Sequence, residues 1–294
     1  MKPLFYLLFL LTLPVFAQKK QADRQEWVPL FNGKDLSNWD IKITGYPLGE
    51  NYGNTFRVEK DMIRIAYDQY KTFDRRFGHM YYKQSFSHYI LKFDYRFTGN
   101  QTPGGATWNV RNSGIMFHSQ SAASVSLKQD FPVSLEVQTL GGLSNGKPRP
   151  TANLCSPGTL VKQKGQVNPQ HCIESTSKTY DGDQWVSVEV LVLGDSLIEH
   201  RIDGRVVLAY EHPVTDAFFI SKDNDFEQSG VAYAAYWRAR AGKPLTEGYI
   251  ALQAESHPID FRNLKVLNLK GCMNRKAKNY KSYHVLADER ACKF

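Results

Sequence analysis

Polar side chains with sugar-binding chemistry recur at alternate positions along one predicted strand. In residues 133–140 (VSLEVQTL), Glu136 and Gln138 fall on one face and apolar residues on the other, because side chains on a strand alternate with period two. Carboxylates and amides bind neighbouring hydroxyls in pairs, and aromatic rings stack against the face of a sugar ring. The strand therefore indicates either a wet surface or the floor of a carbohydrate site.

Three further strands, 89–97, 112–118 and 249–255, show the same alternation. Their polar faces and flanking residues supply Asp94, Arg96, Asn112, His118, Gln253, Glu255 and His257, with Gly114 leaving room beside Asn112. If these strands are neighbours, their polar faces form one patch. Trp108 is a candidate stacking ring, and His200 in IEHRIDG is a further candidate contact. A single polar residue on such a face is usually only solvated, so the prediction depends on several strands agreeing.

Strands dominate the remaining pattern as well. Residues 185–193 and 197–203 alternate in the same way, and Asp203-Gly204 is a strong signal for a hairpin turn. Amphipathic helices are scarce, with a short helix expected within 216–242. The sequence therefore predicts an all-β fold, a two-sheet antiparallel sandwich that buries its apolar faces between the sheets.

The first residues are typical of a secretory signal peptide. Lys2 is followed by an apolar run and by the small-residue cleavage site Val15-Phe16-Ala17, so residues 1–17 are expected to be removed. The apolar run is shorter than the roughly 20 residues of a membrane span. No Cys follows the cleavage site, so a lipid anchor is not expected. We predict an exported protein, periplasmic or extracellular.

Four cysteines suit an oxidising compartment. Three pairings are possible, and we expect the local one, Cys155–Cys172 with Cys272–Cys292, because each pair closes a short polar segment. Residues 143–175 form a long connection without a strand pattern. A loop of this length in a compact domain is usually functional or held in place by a disulfide. We predict one domain at residues 18–269. Residues 270–294 are too few to bury a core of their own, so we expect them to form a small appendage closed by a disulfide.

The formal net charge of +8 is modest and dispersed, with no concentrated Lys/Arg stripe. Nucleic-acid binding would require such a stripe, so we predict no nucleic-acid partner. The sequence does not indicate an oligomeric state.

Five segments together resemble the DUF1080 family, also called the 3-keto-disaccharide hydrolase domain. The segments are WVPLFNGKDLSNW (27–39), NSGIMFHSQ (112–120), LEVQTL (135–140), IEHRIDGRVV (198–207) and GYIALQAESHPIDFRNLKVLNL (248–269), and the resemblance covers roughly residues 26–269. The resemblance implies a jelly roll of the concanavalin A-like lectin/glucanase type that binds oligosaccharides or glycosides. It also implies action on glycosides with a ketone at C3. The tail resembles a motif at the ends of exported bacterial proteins, matched by Gly271, Cys272, Ala277, Asn279, Tyr280 and Cys292.

A ketone at C3 acidifies the proton on C2, so a base can remove it and β-elimination can expel the group on C1. Under this hypothesis Glu136 and His118 are candidates for the base, and Glu255 and His257 for the acid. Arg96 or Arg111 would hold the enediolate oxygen, while Gln138 and Gln253 would fix hydroxyls. Asp94, Asn112, Trp108 and His200 complete the candidate substrate contacts.

The same four candidates, Glu136, His118, Glu255 and His257, could instead hold a divalent cation. Two other functions stay open at this stage. One is a carbohydrate-binding module without catalysis, and the other is a conventional glycoside hydrolase, which needs a carboxylate pair at the scissile bond.

Overall fold

A computed structural model describes residues 23–294. The predicted signal peptide, residues 1–17, lies outside the described residues. Within them, no helix is long and apolar enough to cross a membrane.

Ten strands form the larger sheet, here called the ten-stranded sheet. They are β1 (Trp27–Pro29), β3 (Phe56–Glu59), β4 (Met62–Ile65), β6 (His88–Phe97), β10 (Thr159–Gln163), β11 (Gln166–Asn168), β13 (Val186–Leu193), β14 (Leu197–Ile202), β15 (Arg205–Thr215) and β17 (Ile259–Asn268). Their order is β11-β10-β15-β14-β13-β6-β17-β4-β3, with β1 also paired to β17.

Seven strands form the second sheet, the seven-stranded sheet. They are β2 (Trp39–Ile43), β5 (Gly78–Phe86), β7 (Asn112–Ser119), β8 (Leu135–Leu140), β9 (Asn153–Cys155), β12 (Cys172–Ile173) and β16 (Gly248–Ala254). Their order is β12-β9-β8-β7-β16-β5-β2. The described pairings within both sheets are antiparallel.

The remaining elements are short. A two-stranded parallel pair, β18 (Lys270–Gly271) and β19 (Leu286–Ala287), lies in the tail. The helix α1 (Ala234–Arg238) falls within the segment where a short helix was expected. Four 3-10 turns complete the elements: Tyr52–Asn54, Thr107–Asn109, Ala122–Ser124 and Glu289–Ala291.

The hydrophobic core lies between the two sheets, which confirms the predicted sandwich. Alternate residues of β6 are buried and the intervening ones half-buried, as a strand with one core face requires. Tyr95 crosses from β6 to the other sheet, where its hydroxyl donates to the Leu140 carbonyl at 3.0 Å. The hairpin predicted at Asp203-Gly204 joins β14 to β15, and both residues have positive φ, 50° and 75°.

A β-bulge interrupts β7 near its end. Tyr249 of β16 pairs with Ser119, whereas Ala251 pairs with Met116, so three steps on β7 match two on β16. His118 has a φ of 46° at this point. An extra residue inverts the alternation beyond it, so side chains after the bulge change faces.

The expectation that residues 143–175 lack strands is wrong. This segment contributes β9 and β12 to the seven-stranded sheet and β10 and β11 to the ten-stranded sheet. Short strands with few alternating positions give little periodic signal, which is why the pattern did not reveal them. The pairing Cys155–Cys172 is confirmed and joins the neighbouring strands β9 and β12.

The second expected disulfide, Cys272–Cys292, is also confirmed and closes the tail. Three contacts attach the tail to the residues before β1. Lys281 forms an ion pair with Glu26, the Ser282 amide donates to Asp23 at 2.6 Å, and the Glu26 amide donates to the Tyr283 hydroxyl at 3.3 Å.

His200 lies in the core and not in a binding site, which corrects its prediction as a substrate contact. It is fully buried, its Nδ1 donates to the Ala152 carbonyl at 2.9 Å, and its Nε2 accepts from the Tyr210 hydroxyl at 2.9 Å. Burial lowers the pKa of His200 to about 4, so the ring is neutral and both its nitrogens are used.

We expect His200→Phe to lower the free energy of unfolding by about 2–4 kcal/mol, because two buried groups lose their hydrogen-bond partner. Urea denaturation followed by fluorescence measures this loss. Tyr210→Phe, which removes only one of the two bonds, should cost less. Unchanged stability together with lost glycoside binding would contradict the structural role.

Candidate functional site

A cavity of about 480 Å³ lies on the face of the seven-stranded sheet that points away from the core. Strand residues supply its floor and connecting segments its walls. The lining residues are Phe73, Arg75, Phe77, Gly104, Ala106, Trp108, Asn109, Asn112, Asp130, Phe131, Glu136, Gln138, Cys155, Pro157, His171, Cys172, Ile220, Asn224 and Glu255.

Glu136 lies on the cavity floor and packs over Gly114. A methyl group added at Gly114 would stand 2.6 Å from Glu136 Cγ, so only glycine leaves room for the carboxylate there. Glu136 is 6% exposed although it lies on the outer face of the sheet, because the connecting segments cover it. Its strand neighbours are Met116 on β7 and Cys155 on β9.

Glu255 follows directly after β16 and enters the same cavity. It is 3% exposed, and its Oε2 has no hydrogen-bond partner among the described residues. Burial raises the pKa of Glu136, and burial together with repulsion from Glu136 raises the pKa of Glu255 well above its usual range. The Arg149 guanidinium opposes that rise in part. Two carboxyl groups that share one buried site hold at least one proton between them near neutral pH.

Side-chain amides with unpaired atoms line the same cavity as the two carboxyl groups. The Oδ1 atoms of Asn109 and Asn112 are buried and without partners within residues 23–294. Gln138 accepts from Asn153 Nδ2 through its Oε1 at 3.1 Å, which leaves the Nε2 donor of Gln138 for another group. Unpaired buried oxygens are costly, and a ligand with several hydroxyl donors would satisfy them.

Aromatic rings form one wall of the cavity. The rings of Phe77 and Trp108 are nearly parallel, with centroids 6.2 Å apart, and Phe131 lies 4.7 Å from Phe77. Trp108 is 53% exposed, so its face is open to the cavity mouth.

Five predicted site residues therefore come together in this cavity: Glu136, Glu255, Asn112, Gln138 and Trp108. Gln253 lies on the same sheet opposite His79 and does not line the cavity.

The predicted position of His118 in the patch is wrong. Its Nε2 donates to the Gly194 carbonyl, 2.9 Å away in the turn between β13 and β14. The bulge in β7 turns His118 toward the ten-stranded sheet, and burial lowers its pKa to about 4.

Asp94 and Arg96 lie on the ten-stranded sheet and face away from the cavity, which corrects their prediction as substrate contacts. Asp94 pairs with Arg262 at 3.1 Å, and Arg96 pairs with Asp260 at 2.7 Å. The guanidinium of Arg96 also stacks on Trp185 at 4.6 Å. Their strand, β6, alternates as predicted but belongs to the other sheet.

Arg111 and His257 lie beyond the residues that line the cavity. Arg111 has a φ of 48° and pairs with Asp183 at 3.0 Å. The His257 ring lies edge-on to Phe97, with centroids 5.5 Å apart. Burial and the nearby Arg111 charge lower the pKa of His257 to about 4, so the ring is neutral.

The predicted four-ligand metal site is not assembled, because His118 points into the interior between the sheets, away from Glu136. Across residues 23–294, no group of three or more His, Cys, Asp or Glu side chains is placed to hold a metal ion.

Sequence reasoning missed Asn109 and His171, which both line the cavity. Asn109 ends a 3-10 turn and His171 precedes β12, so neither lies within a strand where alternation could indicate its direction. The only local signal was the position of His171 beside Cys172.

Solved structures with a likeness to this chain are distant in sequence. A candidate glycosyl hydrolase from Parabacteroides distasonis is 16% identical over 83% of this chain and 99% of its own, with a TM-score of 0.46. A second from the same organism is 20% identical over 82% and 93%, with a TM-score of 0.45. The carbohydrate-binding module CBM66 from Bacillus subtilis is 12% identical over 79% and 96%, with a TM-score of 0.41.

None of the curated proteins matches the chain. A profile of one protein family, in contrast, matches residues 26–267, which include both sheets of the sandwich and every residue that lines the cavity. The chain therefore belongs to the family of the 3-keto-alpha-glucoside-1,2-lyase-like domain.

Proposed function

We propose that this protein is an exported carbohydrate-active enzyme that cleaves 3-keto-glycosides by removing the C2 proton and eliminating the C1 substituent. The observation that carries the proposal is the burial of Glu136 and Glu255 in one cavity, with both pKa values raised. Carboxyl groups that only grip hydroxyls need no such shift, whereas proton transfer near neutral pH does. Family membership supports the substrate class, and two disulfides fit an oxidising compartment.

Glu136 acts as the base in this mechanism. Repulsion from Glu136 adds to the effect of burial on Glu255, so Glu136 ionises first and Glu255 keeps its proton. The Glu136 carboxylate takes the C2 proton, and the electron pair of that bond forms an enediolate with its charge on the C3 oxygen.

Glu255 acts as the acid in the second step. As the C3 carbonyl re-forms, a C1–C2 double bond develops, the bond from C1 to the leaving oxygen breaks, and Glu255 protonates that oxygen. Water then adds its hydroxyl to C1 and a proton to C2, which gives net hydrolysis.

The Gln138 amide stabilises the negative charge that develops on the C3 oxygen. Its Nε2 donor is left for the substrate, because the bond from Asn153 is accepted by the Gln138 Oε1 atom. Donors fixed in advance in a water-poor site stabilise an oxyanion more than water does. The unpaired oxygens of Asn109 and Asn112 accept from the remaining sugar hydroxyls.

A conventional glycoside hydrolase also uses two carboxyl groups, so the pair by itself supports that second candidate. The two functions differ in substrate, since a conventional hydrolase cleaves glycosides that carry no ketone.

The first test compares cleavage of a 3-keto-disaccharide and its unoxidised parent by the mature protein, with product formation followed by chromatography. We expect cleavage of the keto-sugar alone. Glu136→Gln should reduce kcat by at least about a hundredfold, in the range that general base catalysis supplies. Glu247→Gln, an exposed carboxylate outside the cavity, should change nothing.

Cleavage of the unoxidised parent at a similar rate would favour the conventional hydrolase. Binding of both sugars without turnover would leave a carbohydrate-binding module and refute the enzyme.

The raised pKa values predict a dependence on pH. The base is inactive while protonated, and burial raises the pKa of Glu136 to about 8, so kcat/KM should rise with pH through that region. It should fall again at higher pH, where Glu255 loses its proton.

Stability should show the opposite trend. Folded Glu136 stays protonated up to a higher pH than the unfolded chain, so the wild type loses stability as pH rises from about 4.5 toward 8. Glu136→Gln cannot ionise, so its Tm should exceed that of the wild type by more at pH 8 than at pH 5. Equal Tm differences at both pH values would contradict the raised pKa.

A further inference from the structure

We infer that the aromatic wall of the cavity is the subsite for the leaving group, and that it takes an aryl aglycone in preference to a second sugar. This inference deepens the proposed function and depends on it for the position of the scissile bond. The wall consists of Phe73, Phe77, Trp108 and Phe131, with Ile220 also lining the cavity.

The cavity has a polar floor and an aromatic wall, and these two parts match the two halves of a glycoside, the sugar and its leaving group. The floor holds Glu136, Glu255 and the unpaired oxygens of Asn109 and Asn112. These groups match the hydroxyls and the reacting carbons of the oxidised sugar. The group attached at C1 must then extend away from the floor, toward the walls.

The four rings of the wall are in continuous contact. Phe73 lies edge-on to Phe77 with centroids 5.0 Å apart, and Phe77 in turn contacts Phe131 and Trp108. Phe73 and Phe77 are buried, whereas Trp108 is half exposed at the mouth. A large ring left open beside other rings is an apolar surface that a ligand can cover.

Three of the four rings of the wall belong to phenylalanine and offer no hydrogen bonds. A second sugar can stack on one ring face, but its hydroxyls would lose water along the rest of the wall without replacement, which is costly. An aryl group has no such hydroxyls and gains from offset or edge-to-face ring contacts.

Two of the polar residues that line the cavity have partners within the protein. Arg75 forms an ion pair with Asp130, and the Asn224 Oδ1 accepts from the Ser229 hydroxyl at 2.9 Å. The atoms engaged in these contacts, Arg75 Nη2, Asp130 Oδ2 and Asn224 Oδ1, are therefore less available to a second sugar.

The test compares three 3-keto-glucosides, with phenyl, methyl or glucosyl as the leaving group, in the wild type and in Trp108→Ala. Each substrate is assessed by its ratio of wild-type to variant kcat/KM, so the intrinsic reactivity of the leaving group cancels. We expect the ratio for phenyl to exceed that for methyl by about tenfold, the equivalent of one good ring contact. The glucosyl ratio should be close to that of methyl.

Phe131→Leu provides a second variant that keeps an apolar side chain while removing a ring, and it should act in the same direction as Trp108→Ala. Tyr236→Ala is the matched control, because Tyr236 is 55% exposed and lies outside the cavity. Its ratios should be near one for all three substrates.

Calorimetric binding of unoxidised phenyl and methyl glucosides separates this inference from the proposed function. If no keto-sugar is cleaved, the proposed function fails, but tighter binding of phenyl that is lost in Trp108→Ala would still support the aryl subsite. If cleavage occurs and the glucosyl ratio equals or exceeds the phenyl ratio, the wall binds a sugar and the inference is overturned. Equal ratios for all three substrates would also overturn it.

Discussion

Two carboxyl groups buried in one cavity impose the constraint on which the rest of the site depends. Neither Glu136 nor Glu255 can ionise as easily as in water, because burial penalises the charge and each charge repels the other. A fold that keeps such a pair loses stability, a cost that active sites commonly carry, and this fits the proposed roles of the pair in proton transfer. Two features of the cavity suit this interpretation. The aromatic wall limits the access of water to the pair, and the unpaired amide oxygens can accept hydrogen bonds from a ligand bound beside it.

The sandwich meets this constraint through its secondary structure. β8 places Glu136 and Gln138 on one face, while the opposite face anchors the strand in the core. Gly114 on the adjacent strand leaves the space that the Glu136 carboxylate occupies. The connecting segments then convert an outer sheet face, which is normally wet, into a closed site. The Cys155–Cys172 disulfide joins the edge strand β12 to its neighbour β9, which pairs with β8 beside Glu136.

Alternation along the strands was enough to predict the sandwich and the directions of Glu136, Gln138 and Asn112. Alternation does not reveal which strands share a sheet. The predicted patch therefore includes Asp94 and Arg96, although their strand belongs to the ten-stranded sheet and the cavity lies on the seven-stranded sheet. Alternation also failed at His118, because a single extra residue in β7 reverses every side chain after it. Asn109 and His171 depend on the paths of connecting segments, which long-range packing determines and local periodicity does not encode.

The proposed mechanism requires the C2 proton to leave before the glycosidic bond breaks. The most direct measurement is proton NMR of a 3-keto-glycoside incubated with the protein in D₂O, with Glu136→Gln as the control. Elimination predicts deuterium at C2 of the hydrolysed product, in the wild type and not in the variant, because water adds again at C2 after the C1 substituent has left. A product that forms at the wild-type rate and keeps its original C2 proton would show direct hydrolysis and rule out elimination.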